Sequence, residues 1–427
     1  MVTHNTTCLG ELIHNLELRG IKYAVSSFTG KAVSRIREVS KNRNASTLHR
    51  LISNASKMKT DDETFEHLII DETSMVTTEL LYNVLQVYPN IKKLTLVGDV
   101  NQLPPISWGD LFHQIIKSET IPTYRLTTNY RVYTATGERD GIILNANALI
   151  THDNVYPFDY VATSNFSVIE GGAESVYAII NGCYASGIKV EQLGIITPYN
   201  RTLESLNKKF QEIYNKDAKG IVDGFGIKWL IGDRVMLIEN DPDIGVFNGE
   251  NGIIKDVNDK SIMVDFGHGT YEYMLEEKQT YGKKFVDEDD EEYVSKERTV
   301  KKLTHSYAIT IDKSQGSEWD FVIFYIPEFN KGSFLNKNRI YTALTRAKRC
   351  VWCVITDLEC FNVVSVKNQA YRCDNLAKRL QSKLPNLKPF KIERPPILEL
   401  EMNGDLPNIE GIPSEYMDNG FDCDDFE

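Results

Sequence analysis

Residues 68–75 read LIIDETSM and residues 96–105 read LVGDVNQLPP. Each opens as an apolar, strand-forming run. The first ends on Asp71-Glu72, the second on Gly98-Asp99 with Gln102 just beyond. A carboxylate at the C-terminal end of a buried strand can hold Mg²⁺ through water, and a second one beside it can orient or deprotonate an attacking water. Asp-Glu alone also fits a helix cap by Asp71 or Thr73. The GDVNQLPP that follows makes the nucleotide reading the stronger one. Gln102 can reach a terminal phosphate or its water, and Pro104-Pro105 stiffens the turn. The pair reads as the Mg²⁺-and-water end of an NTP-hydrolysing sheet.

Outward from this pair, helices expected at 8–20, 29–39, 77–88 and 109–118 alternate with strands at 21–27, 66–71 and 92–97. That alternation predicts a parallel sheet covered on both faces, over residues 1–135. A second α/β block spans 136–225 and resumes over 301–385. Its expected elements include helices at 139–151, 174–186 and 200–216 and a strand at 191–197. Between its halves, 226–300 is a series of short, alternating, glycine-punctuated runs, the signature of a small antiparallel barrel. Residues 386–427 are dominated by proline and acid and are expected to be a disordered tail. The fold class is α/β with an SH3-like barrel inserted in the second parallel-sheet domain.

The net charge of −12 argues on its face against a nucleic-acid partner, but its distribution reverses that. Beyond Arg394 lie ten acidic residues and no Lys or Arg, so the rest of the chain is nearly neutral and can hold a local basic groove. No apolar run approaches the ~18 residues of a membrane span, and no basic-then-apolar leader opens the chain. The expectation is a soluble intracellular protein, of cytoplasm or nucleus, without a membrane partner. Seven scattered cysteines fit a reducing compartment. Cys350 and Cys353 lie in RCVWCVI, which reads as a buried strand, because a zinc knuckle needs a second ligand pair.

In order along the chain come SSFTGKA (26–32), TLHRL (47–51), DETSM (71–75), GDVNQLPP (98–105), LTTNYR (126–131), THSYAITIDKSQGSEWD (304–320) and YTALTRAK (341–348). This series resembles the ordered motifs of superfamily-one DNA helicases of the RecD/Dda type. The resemblance implies two RecA-like domains with ATP and Mg²⁺ between them, moving 5′→3′ on single-stranded DNA or a duplex with a single-stranded tail. It also implies single-strand-binding or replisome proteins as further partners, in replication, repair or recombination. Residue by residue, it assigns catalysis to Asp71, Glu72 and Gln102, with Arg131 and Arg346 supplying charge at the γ-phosphate. Such an arginine finger is worth roughly 10³–10⁵ in rate, against ~0–1 kcal/mol for Arg346 as a surface ion pair. Asp99, Gly316 and Glu318 are implied near the nucleotide. Strand contacts are implied at Ser27, Thr29, Gly30, Lys31, Thr47, His49, Thr310, Lys313, Ser314 and Gln315. Tyr130, Tyr199 and Trp319 could stack bases, though aromatics in apolar surroundings more often fill a core. Residues 232–254 (GDRVMLIENDPDIGVFNGENGII) resemble the RecD-type barrel, which in that family closes over the strand. The stretch 52–65 is short for the family's strand-separating hairpin.

The phosphate-cradling G-x-x-x-x-G-K-[ST] does not occur ahead of Asp71. Aligned by the following helix, the family's G-K-T-T-x-L falls on His4-Asn5-Thr6-Thr7-Cys8-Leu9. That puts Thr6 with Asp71 on Mg²⁺ and Thr7 beside the nucleotide. Asn5 cannot replace a lysine cation, and His4 carries a Cβ where backbone must hug phosphate. Thr6 and Thr7, preceding a helix, also read as its cap, and that is the favoured reading of the chain as it stands. Three readings stand: a truncated form of an active helicase, an ATPase-deficient single-stranded nucleic-acid binder, or a loop supplied by a separate polypeptide. The intact Asp71, Glu72, Gln102, Arg131 and Arg346 favour the first.

Overall fold

A computed structural model describes residues 2–40, 45–55, 65–105, 109–126, 140–151, 160–241, 243–275, 285–286, 292–293, 298–327, 335–359 and 375–383. Leu9, Ile13 and Leu16 recur at helical spacing and are buried, which seats α1 (Val2–Leu18). Then follow β1 (Tyr23–Ser27), α2 (Gly30–Ser40), β2 (Ser46–Thr47), α3 (Leu48–Ala55), β3 (His67–Asp71), α4 (Thr78–Val87), β4 (Lys93–Leu96) and α5 (Leu111–Ser118). The strands form a parallel sheet in the order β2-β1-β3-β4. Alternate residues of β3 serve opposite faces. Ile69 packs with Ile13, Val33 and Ile36 under α1 and α2, while Leu68 and Ile70 pack with Leu48, Leu80 and Leu111 under α3, α4 and α5. Burial on both faces is why the run is continuously apolar.

One expectation about the chain's start changes. α1 already includes His4 to Thr7, so Thr6 and Thr7 lie inside a helix and neither caps it nor forms a loop. Nothing in VTHNTTC is a glycine or proline that would break the helical run. Side chains 2–7 lie outside the described residues, so Thr6 as a Mg²⁺ ligand has no structural account. β4 is an edge of the sheet among the described residues, and its Leu94 is half-exposed.

The second domain brings α6 (Gly141–Thr151), β5 (Phe166–Glu170), α7 (Ala173–Ala185), β6 (Leu193–Thr197) and α8 (Leu203–Tyr214). A hairpin of β7 (Gly220–Val222) and β8 (Lys228–Leu230) leads into β9 (Arg234–Leu237), β10 (Asn251–Val257), β11 (Ser261–Asp265) and β12 (Thr270–Met274). After the short pair β13 (Phe285–Val286) and β14 (Glu292–Tyr293) come β15 (Leu303–His305), β16 (Ala308–Thr310) and α9 (Ile311–Ser314). The chain continues through β17 (Trp319–Ile326), α10 (Lys337–Leu344), β18 (Ala347–Ile355) and a last described helix, α11 (Leu376–Lys383). The parallel sheet runs β16-β6-β17-β18-β5, and the barrel sheet is antiparallel, β12-β11-β10-β9-β15. Cys350 and Cys353 lie in β18, as the strand reading expects.

Two boundaries shift from expectation. The barrel sheet takes β15, beyond 300, because Leu303 pairs with Leu237 and shares a core with Val235 and Ile254. α11, expected in the second domain, packs instead on α5: Leu376 joins the first domain's core and Gln381 donates to the Ser118 carbonyl at 3.2 Å. The tail, 56–64 of the expected hairpin stretch and 127–139 lie outside the described residues.

The barrel is joined to the second domain through Asp233 and Arg234, both buried. Asp233 accepts from Tyr307 Oη at 2.7 Å and Asn215 Nδ2 at 2.8 Å on one oxygen. On the other it accepts from Gln211 Nε2 at 2.6 Å and Leu230 N at 2.7 Å, with His305 Nε2 at 3.2 Å. Burial alone would raise this carboxyl, but His305, Tyr307 and Asn215 outweigh it and hold it below its ordinary value. Arg234 donates to the carbonyls of Ser306, Leu193 and Tyr307, at 3.1 Å each, between the Tyr307 and Trp319 rings. Trp319 is therefore a core residue, not a base-stacking one.

Candidate nucleotide and strand site

β3 delivers Asp71 at its buried C-terminal end, and the chain turns at once. Glu72 sits in the left-handed region (φ 52°, ψ 40°), a conformation that costs a non-glycine residue roughly 1–2 kcal/mol. The turn is held by the Glu72 amide on Asp71 Oδ1 (2.9 Å), the Thr73 amide on the Val97 carbonyl (2.9 Å) and the Thr73 hydroxyl on the Ile70 carbonyl (2.9 Å). Gly98 admits this packing, since a Cβ there would lie 3.1 Å from the Phe112 ring and from the Ser74 nitrogen. Just beyond, Asp99 accepts the Asn101 amide at 2.9 Å, and Gln102 is buried with its carbonyl oxygen unpartnered.

The second domain closes on this end. Tyr341 of α10 donates to Asp99 Oδ2 at 2.8 Å, Asn338 donates to the Asn101 carbonyl at 3.0 Å, and Gln315 donates to the Leu103 carbonyl at 3.1 Å. Glu318 pairs with Arg35 of α2 at 2.8 Å and with Lys348 at 3.5 Å. Burial would raise Glu318, but Arg35, Arg346 and Lys348 carry it below the ordinary carboxylate value. Gly316 has φ +72°, and a Cβ there would lie 2.5 Å from Thr29 Oγ1, so only glycine allows this approach of the domains. Arg346 is fully buried and donates to the Thr342 carbonyl (2.9 Å), the Ser317 carbonyl (3.3 Å) and Thr345 Oγ1 (3.3 Å). It forms no ion pair with a carboxylate among the described residues, although its charge acts on Glu72 and Glu318.

The electrostatics suit a cation and a water. Burial raises Asp71, against the Glu72 amide and Arg35. Burial and then Asp71 push Glu72 up to about 7; Arg346 opposes this and Asp99 and Glu318 add to it. Asp71 and Glu72, two buried acids held above their ordinary range, are an acceptor set short of positive charge. No group of three or more His, Cys, Asp or Glu cages an ion among the described residues. Mg²⁺ keeps much of its water and needs only one or two carboxylates, so the site fits it. A phosphate-cradling loop is not supplied by residues 4–7, which are helical.

The sequence-assigned residues divide. Asp71, Glu72, Asp99, Gln102, Glu318 and Arg346 are brought together; Arg131 lies outside the described residues. On the strand side, Ser27 and Ser314 are fully buried. Thr47 caps α3 through the Arg50 amide, Thr29 caps α2 through the Ala32 amide, and Thr310 caps α9 through the Lys313 amide. Burial lowers Lys313 and His49, and the Lys31 side chain lies outside the described residues. Tyr341, Asn338, Asn101 and Arg35 were not singled out for this site; only tertiary contact reveals them.

Three families match in succession: the AAA domain over 3–107, the ATP-dependent RecD-like DNA helicase SH3 domain over 206–266, and the UvrD-like helicase C-terminal domain over 305–354. The ATP-dependent RecD2 DNA helicase of Deinococcus radiodurans is 28% identical over 352 residues, covering 80% of this chain and 44% of that protein. The RecBCD enzyme subunit RecD of Buchnera aphidicola is 25% identical, covering 82% and 67%. The chain thus spans less than half the length of the first relative. The crystal structure of a Pif1 helicase from Candida albicans shares the fold, with TM-score 0.50 at 18% identity over 89% of this chain and 93% of that one. No described helix is long and apolar enough to cross a membrane.

Proposed function

We propose that the chain is a RecD-like superfamily-one helicase, an ATP-dependent DNA motor that moves 5′→3′ along single-stranded DNA; the three successive family matches and the similarity to RecD2 support this reading. The observation that carries this reading is the convergence, across a domain boundary, of Asp71, Glu72, Asp99 and Gln102 with Arg346 and Glu318. In the reading, Asp71 would hold Mg²⁺. Mg²⁺ when bound neutralises phosphate charge. Glu72, poised near neutrality by burial, accepts a proton from water, and the Gln102 carbonyl orients that water. Arg346 supplies charge from the second domain, so hydrolysis requires the closed arrangement that Tyr341 and Asp99 maintain. Thr29, beside Gly316, links the strand side to the nucleotide side.

A second reading, a single-stranded nucleic-acid binder that does not hydrolyse ATP, draws on the lack of a G-x-x-x-x-G-K-[ST] loop in the 427 residues. A strand-stimulated ATPase assay separates the two. It is run on this chain and on a form carrying a strand and G-x-x-x-x-G-K-T loop ahead of α1. Turnover that Glu72→Gln abolishes supports the motor. Oligonucleotide binding without turnover in either form selects the binder. Displacement of a blocking group from labelled 5′ or 3′ ends tests the direction of travel.

A further inference from the structure

Arg35 lies in the second turn of α2, one turn beyond Lys31. Val33 and Ile36, which flank it, are buried in one core with Ile69 of β3, so the base of Arg35 is fixed to the first domain. Its guanidinium crosses to the second domain and meets Glu318 at 2.8 Å. We propose that Arg35 is a positioning residue that relays strand binding to Arg346: it ties α2 to Glu318, and Glu318 lies between two residues that hold Arg346. This rests on the strand and nucleotide readings above and names the side chain that joins them.

The connection is short and continuous. Segment 316–318 lies along α2 rather than touching it at one point: a Cβ on Gly316 would sit 2.5 Å from Thr29 Oγ1, and Glu318 pairs with Arg35. Thr29 and Arg35 are six residues apart in the chain, roughly 9 Å of helix at 1.5 Å per residue. A shift of α2 therefore reaches Glu318 through a charge-assisted hydrogen bond, roughly twice as strong as a neutral one. On the far side, Ser317 and Trp319 flank Glu318 and both hold Arg346. The Ser317 carbonyl accepts from Arg346 Nη1 at 3.3 Å, and the Trp319 amide donates to the Arg346 carbonyl at 3.0 Å. Arg346 is fully buried in close-packed surroundings, so it moves with this segment. Lys348 also reaches Glu318, at 3.5 Å, but it stands two residues beyond Arg346 in the second domain and cannot carry a signal across. Arg35 is the shorter contact and the one that crosses. Of the cations around Glu318, it does most to hold that carboxyl below its ordinary value.

The test is amide hydrogen exchange of the full chain, read by mass spectrometry on peptides spanning 315–320 and 341–348, with and without saturating oligo(dT). In wild type the strand should slow exchange of both peptides about tenfold, within the range of a coupling between sites. Arg35→Gln should bind fluorescent oligo(dT) with unchanged affinity yet show less than about twofold slowing. Arg35→Lys keeps a cation within reach of Glu318 and should restore most of the slowing. Glu318→Gln breaks the tie from the other side and takes the place of R35Q if that variant melts early. A merely structural Arg35 would speed exchange by the same factor in both states. Slowing preserved in R35Q and E318Q is that outcome, and it overturns the relay while leaving the strand-binding reading standing. Wild-type strand binding without slowing does the same, as does an R35Q protein that no longer binds the strand, because Arg35 would then be a strand contact. No strand binding by wild type overturns both.

Discussion

Asp233→Asn tests the joint between the barrel and the second domain. The carboxylate is fully buried and receives hydrogen bonds from Tyr307, Asn215, Gln211 and Leu230, with His305 beside it. An asparagine offers one acceptor oxygen. It must face the Leu230 amide and Gln211, because the backbone N–H cannot turn away. Its NH₂ then meets Tyr307 and Asn215. The tyrosine hydroxyl can rotate to accept, but Asn215 can do so only by turning its own amide away from the Ile231 carbonyl, to which it donates at 2.9 Å. One or two buried groups are left unsatisfied at about 1–3 kcal/mol each, so the expected loss is about 2–4 kcal/mol. Urea unfolding followed by tryptophan fluorescence measures it; Trp229, one of the four tryptophans, stacks on His305 at 4.7 Å. The folded carboxyl lies below the ordinary 3.8. Its contribution is therefore fully present above that value and lost as pH falls through the lower folded pKa. The gap between wild type and D233N should stay constant from neutrality down to about pH 5 and shrink below about pH 4. A D233N protein within about 0.5 kcal/mol of wild type at pH 7, or a gap that widens with acid, would refute the reasoning.

Glu72→Gln should abolish ATP turnover yet stabilise the metal-free protein above pH 7. A carboxyl raised from 4.5 to about 7 stabilises the fold below its unfolded value and loses that contribution as pH rises through 7. Thermal melts in chelator should favour E72Q by about 3 kcal/mol at pH 8 and converge with wild type toward pH 4.5. Tyr341→Phe removes the donor to Asp99 Oδ2 and should cost about 1–3 kcal/mol in chemical unfolding, with oligonucleotide binding retained. Arg346→Lys cannot reproduce the three-way fork onto Thr342, Ser317 and Thr345. Steady-state ATPase assays should show strand-stimulated hydrolysis lowered by roughly 10³ while strand affinity persists.

Short-range patterns in this chain translate directly into structure. The run LIID is apolar at every position because both faces of β3 are buried, so strand and burial follow from the residues alone. Asp71, Glu72, Asp99 and Gln102 were legible for the same reason: each stands a few residues from a strand end. Less legible were features set by partners distant in the chain. β15 looked like part of the second parallel-sheet domain until its pairing with β9 placed it in the barrel. α11 looked like part of the second parallel-sheet domain until its packing on α5 placed it with the first. Thr6 and Thr7 read as a helix cap but lie inside α1, because nothing local distinguishes a helix start from a helix interior in VTHNTTC.

The sequence by itself determined the α/β class, the barrel insertion and the strand-end carboxylates proposed as the acidic end of a nucleotide site. These depend on periodicity and on residues close together in the chain. Tertiary structure alone decided that Tyr341 holds Asp99, that Arg35 holds Glu318, that Gly316 meets Thr29 and that Glu250 reaches Gly30. Each of those pairs joins segments more than two hundred residues apart. No spacing rule encodes such a contact; it exists only when the packing of separate cores brings the two surfaces together.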